Sequence, residues 1–194
     1  MSVAKYSAII LALLISGCAT FRDGANPPIT KWPPDAVNKN KTISLQVVGK
    51  TITNNEPLDA NEKSVEKQRV QVVKAYESSG IFSAIKGGSE KADIKAEISI
   101  TDKGEASQAM AILTGATMFL IPSHVHEGFI VKTTYKDNSG NTLGSFEKSE
   151  FADTWIQLFM FPVMPFHPVG STYEDLLFDL NRNTIIDAHG KNIF

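Results

Sequence analysis

Residues 127–151, "EGFIVKTTYKDNSGNTLGSFEKSEF", decide the fold. Two strand-like runs, 127–137 and 141–151, flank Asn138-Ser139-Gly140. A glycine closing a three-residue loop suits a type I turn followed by a left-handed residue, so the stretch reads as an antiparallel hairpin. With Asp137 pairing near Asn141, the same register continues outward until Leu120 stands roughly opposite Leu158.

That continuation brings together two apolar stretches, "AMAILTGATMFLIP" (109–122) and "WIQLFMFPVMPF" (155–166). Both belong at the end of the sheet away from the turn. Three readings follow. In the first, Met110 to Ile121 form a buried helix and "LFMFP" folds over it as core. In the second, the stretches make an exposed patch that docks on a bilayer or a protein through Met118, Phe119, Phe159, Met160, Phe161 and Phe166, the large adaptable side chains such surfaces use. In the third, they insert in an oligomeric assembly such as a secretion pore. Neither stretch has the ~20 apolar residues of a spanning helix, and Pro162, Pro165 and Pro168 interrupt any regular element after Phe161.

Working toward the N-terminus, "ADIKAEISI" (92–100) alternates Ile94, Ala96, Ile98 and Ile100 as a strand. "GIFSAI" turns toward another strand. Glu62 to Ser79 reads as a helix with Val65, Val72, Val73 and Tyr76 on its apolar side and Gly80 as its stop. "TISLQVVG" (42–49) starts the folded part, with Ile43, Leu45 and Val47 on one face. Toward the C-terminus, Ser171 and Glu174 have capping-box spacing. A helix with Tyr173, Leu177, Leu180 and Thr184 on one face then runs to about Ala188.

Before Thr42 the character changes. Thr20 to Lys41 holds Pro27-Pro28, Pro33-Pro34 and Gly24 among polar residues, a composition that reads as a tether with a reach of roughly 25 Å. Trp32 in it either touches a membrane or partner or packs on the domain. Further back, Lys5 precedes the apolar run Ala8–Ile15, small residues Ser16 and Gly17, and Cys18, which describes a secretory signal.

The order Ile15-Ser16-Gly17-Cys18 resembles the lipobox of bacterial lipoproteins. The resemblance implies that the Cys18 thiol receives a diacylglyceryl group, that cleavage removes residues 1–17, and that the new amino terminus is acylated. Two or three acyl chains anchor stably, whereas one holds marginally. Ala19, where Asp commonly retains Gram-negative lipoproteins in the inner membrane, implies sorting to the periplasmic face of the outer membrane in a Gram-negative host. Residues 42–102, with "ESSGIF" ending a helix before an "AD" strand, resemble the small α/β domains of the curli-secretion and transport-auxiliary lipoproteins.

The fold class is therefore α+β: a single small domain at 42–194, mainly antiparallel sheet with two to three helices. It follows a signal peptide at 1–17 and a lipidated, Pro-rich tether at 18–41. Cys18 is the only cysteine, so its lipidation leaves no thiol for a disulfide or for thiolate chemistry. The net charge of −2 and the lack of a basic patch speak against nucleic acid as a partner.

Little in the chain asks for catalysis. No G-x-S-x-G, H-E-x-x-H or phosphate-loop pattern occurs, and no cofactor is expected. His124 and His126 share a strand face and, with His167 as a third ligand, are the candidates for a metal. Glu147 and Glu150, interleaved with Lys148, read as a solvated face. The function expected is a non-catalytic lipoprotein that binds an envelope protein or lipid through 109–122 and 155–168. A periplasmic metal-dependent enzyme or an oligomeric secretion component are the alternatives.

Overall fold

The computed structural model describes residues 17–34 and 40–194. Its centre is a parallel pair. Strand β2 (Thr42–Thr53) runs into a short antiparallel β3 (Glu56–Leu58), and helix α1 (Glu62–Ser79) carries the chain back over one face. The helix begins where the Asn61 side chain accepts from the Lys63 N–H and ends at Gly80, whose φ of +64° is the left-handed stop a glycine allows. A short β4 (Ala84–Gly87) and the long β5 (Ile94–Ala106) then lie parallel to β2 on opposite edges of it.

Helix α2 (Gln108–Ala116) leads into the hairpin of β6 (Ser123–Asp137) and β7 (Thr142–Gln157). The turn is the one expected: Gly140 has φ +89° and donates to the Asp137 carbonyl, and the Asp137 N–H donates to the Asn141 carbonyl. Both strands outrun the sequence reading, because the ladder continues to Ser123–Ile156. Helix α3 (Val169–Gly190) closes the chain. With β1 (Gly17–Arg22) at the far edge, the sheet order is β1-β7-β6-β5-β2-β3, with β4 beside β2. The molecule is thus the α+β domain anticipated, a mainly antiparallel seven-stranded sheet with three helices.

Alternation decides which face is core. Ile94, Ala96, Ile98 and Ile100, with Val131, Tyr135 and Ala152, are buried beneath α1 and α3, which pack on each other. Each fully buried isoleucine contributes roughly 1.5–3 kcal/mol. The Tyr76 and Tyr135 hydroxyls meet at 2.7 Å in this core, which satisfies two polar groups that burial would otherwise leave orphaned. The opposite sheet face carries Gln46, Ser99, Lys132 and Thr134 and has no helix over it.

Three expectations need correction. Residues 18–22 of the expected tether, with Gly17 before them, form strand β1 (Gly17–Arg22), antiparallel to β7 in the register Cys18–Ile156 and Arg22–Ala152. The edge of β7 offers unpaired backbone groups, and residues 18–22 fill them. Trp32 also packs on the domain, with the Arg182 guanidinium 4.9 Å from its ring centroid and its indole N–H donating to Ser78 Oγ. Next, Ser171 and Glu174 form no cap: α3 begins two residues earlier, after Pro168, and the Ser171 hydroxyl donates back to the Pro168 carbonyl. Finally, Glu150 is not solvated. Strand alternation turns it under α3, where it is 1% exposed, while Lys148 on the same face pairs with Asp187 at 2.9 Å. The signal-peptide reading concerns residues 1–17, of which 1–16 lie outside those described.

Candidate functional site: the apolar end of the sheet

Strands β5, β6, β7 and β1 all start or stop at one end, so their connections gather there. Helix α2 is nine residues long, and the Ser107 side chain accepts from the Met110 N–H at its start. Only Thr114 of the helix is buried. After it, Met118 (φ +51°) and Phe119 (φ +64°) are consecutive left-handed non-glycine residues, a conformation costing roughly 1–3 kcal/mol each. The Phe119 N–H donates to Thr114 O, and Phe119 O accepts from the Leu158 N–H at 2.9 Å. The two apolar stretches meet there, one residue from the Leu120–Leu158 pairing that the hairpin register implies.

On the other side, Leu158–Met160 is a single 3-10 turn followed by successive turns to His167. Val163, Met164, Phe166 and His167 supply the N–H donors of these turns. Pro162, Pro165 and Pro168 therefore stand where no donor is required. This segment wraps the free edge of β1: Thr20 N–H donates to His167 O, and the Phe21 ring lies 4.6 Å from the His167 ring.

The reading of these stretches as core is overturned. Of the fifteen large hydrophobic side chains that are exposed among the described residues, eleven lie in 110–121 and 155–166. Ile112, Met118, Phe159 and Phe166 are 74%, 69%, 69% and 80% exposed. Phe161 is exposed, and Phe119 and Met160 are half-buried. The reason is geometric: the stretches sit beyond the sheet's end, where neither α1 nor α3 covers them. Residues 107–122 and 154–173 contain no Asp, Glu, Lys or Arg. Cys18 is the second residue of β1, at this same end, and partial burial pushes its thiol pKa up.

Polar groups ring the inner margin. On the open sheet face His124 Nε2 and His126 Nδ1 lie 2.7 and 2.8 Å from one oxygen of Asp153. The hydrogen bonds from His126 and His124 hold the Asp153 carboxyl below its usual range. His126 stacks on Phe151, and His124 lies against Trp155. The structure brings these two histidines together but puts His167 on Phe21, and no group of three His, Cys, Asp or Glu suited to a metal occurs among the described residues.

Beneath the sheet, burial and then repulsion from Glu127 raise the Asp102 carboxyl to about 7. Tyr173, whose hydroxyl lies 2.9 Å from Thr154 Oγ1, is raised by burial and by Glu127. Sequence reasoning missed Asp153 and Asp102, because each acquires its neighbours only through strand register.

No described helix is long and apolar enough to cross a membrane. No family model matches the chain, and no curated protein does. Among solved structures it is similar to a Xanthomonas campestris protein described under the family model DUF330, at 11% identity and a TM-score of 0.44, over 79% of this chain and 88% of that one.

Proposed function

We propose that this protein is a non-catalytic lipoprotein of the bacterial envelope, acylated at Cys18, whose domain binds a protein or lipid partner through its apolar end. The observation that carries the reading is a coincidence of position. The cysteine that ends the lipobox-like Ile15-Ser16-Gly17-Cys18 stands near the start of β1, the strand whose free edge the largely exposed segment 158–167 wraps. A secreted domain without an anchor has no evident need for a lone cysteine there, and a monomeric domain rarely leaves so many large apolar side chains contiguous and uncovered. Ala19 in place of Asp favours the outer membrane, on its periplasmic face, in a Gram-negative host.

The test is metabolic labelling with a fatty acid. Wild-type protein should carry label and fractionate with the outer membrane, and Cys18→Ser should lose the label and accumulate as precursor. Equal labelling of both proteins would end the reading. Photo-crosslinking from position 159 in intact cells then identifies the class of partner.

A further inference from the structure

We infer that the occupant of the apolar end is the phospholipid bilayer that holds the anchor, so that the domain sits flush on the membrane instead of hanging from a tether; this rests on the lipoprotein reading above. The first support is the path of the chain. Cys18 pairs with Ile156 and every residue from 18 to 22 is committed to the β7 ladder. Strand β1 also touches the 158–160 turn, and the Thr20 N–H donates to His167 O, so the strand lies hard against the exposed segment. Acyl chains on Cys18 therefore leave the protein beside Phe159, Phe161 and Phe166, with no slack between anchor and domain.

Charge is the second support. The apolar stretches carry no Asp, Glu, Lys or Arg, so lipid contact drags no charge out of water. Inward from them, His124, His126 and Asp153 share one hydrogen-bonded cluster on the sheet's open face, with Glu105 in register beside His126, at headgroup height in this orientation; His167 directly follows Phe166. Residues 110–121 and 155–166 offer the phenylalanine, methionine, leucine and tryptophan side chains that interfacial segments bury 5–10 Å into the headgroup boundary. Contact of this kind depends on apolar area, so it is insensitive to salt and to anionic lipid.

The single cysteine makes a direct test possible. In the acylated full-length protein Cys18 has no free thiol, so Phe159→Cys or Leu143→Cys introduces a unique site for an environment-sensitive fluorophore. Position 143 is on β7 near the hairpin turn, at the opposite end of the sheet. Each labelled protein is reconstituted in phosphatidylethanolamine–phosphatidylglycerol vesicles with and without lipids bearing a nitroxide on the acyl chain. The probe at 159 should lose roughly half its emission to the nitroxide in low or high salt, as expected for interfacial insertion, and the probe at 143 should be unaffected.

Unquenched emission at 159 overturns the bilayer docking. If crosslinks then form between the 159 positions of two copies, a second copy is the occupant. The anchor is checked separately: unfolded wild-type protein that reacts with a thiol reagent has a free Cys18, and the lipoprotein reading falls on that result alone.

Discussion

Arg22 shows how much one residue of a presumed tether can hold. Its guanidinium reaches Glu150 with Nε at 2.6 Å and Nη2 at 2.8 Å, and reaches Asp179 of α3 with Nη1 at 2.8 Å. The Glu150 hydrogen bond is the leading cause that raises the Arg22 pKa. Since Glu150 is buried, Arg22→Met should strand a carboxylate and cost roughly 2–4 kcal/mol in urea unfolding. Arg22→Met with Glu150→Met should recover most of that loss, because the buried carboxylate is gone and the part-exposed Asp179 keeps its pairing with Arg182.

Asp102 predicts a pH dependence of opposite sign to the usual carboxylate. Its folded pKa of about 7 lies above its unfolded value, so the folded state keeps a proton that the unfolded chain has released. Stability from this group is full below about pH 4 and falls as the pH rises to about 7. Asp102→Asn should flatten that slope and stabilise the protein at pH 8 by roughly 1–3 kcal/mol, the range reduced for its partial exposure. Urea midpoints at pH 5 and pH 8 measure it, and an unchanged slope in the variant would assign the pH dependence elsewhere.

At the scale of elements, the 157–168 connection divides its side chains. Leu158 and Met160 are half-buried, and Phe159 and Phe161 are exposed. An extended chain gives the same division by alternation, although the backbone here is a 3-10 turn. Phe159→Ala and Phe166→Ala should leave thermal stability within about 0.5 kcal/mol, as expected of surface changes. Leu158→Ala should cost roughly 1–2 kcal/mol, less than truncation of a fully buried core leucine.

The left-handed turn at Met118-Phe119 makes a sharper point. Glycine adopts that conformation freely, so Met118→Gly should raise stability by roughly 0.5–1 kcal/mol. It should also weaken vesicle binding, because the lost side chain is 69% exposed at the apolar end. Strain kept at an exposed methionine has a reason only if the methionine touches something.

On the scale of the molecule, β1 changes what the proposed anchor would do. A coil over 18–41 would let the domain roam, whereas a strand on β7 fixes which end would face the proposed anchor. Amide exchange in the acylated protein separates the two cases. The Thr20 N–H, bonded to His167 O, should be protected to an extent comparable with the β6–β7 ladder. Exchange of Thr20 at the rate of a free coil would restore the tether.

Periodicity and turn chemistry are local, and for that reason they are legible in the sequence by itself. The Asn138-Ser139-Gly140 loop, the Glu62–Ser79 helix and the alternation of Ile94 to Ile100 each follow from neighbours within a few residues. The alignment of two apolar stretches needs only a hairpin register carried outward. What the tertiary structure decided involves partners far apart in the chain. Strand β1 pairs residues 17–22 with 152–157, Arg22 meets Glu150 and Asp179, and Asp153 gathers two histidines from the neighbouring strand. Composition makes residues 18–22 resemble linker because a short edge strand has little apolar character of its own; its stability comes from the unpaired edge it fills. Exposure of the apolar end is likewise undecidable from hydropathy. A run of Phe, Met and Leu is core or surface according to whether another layer covers it, and that depends on where α1 and α3 begin.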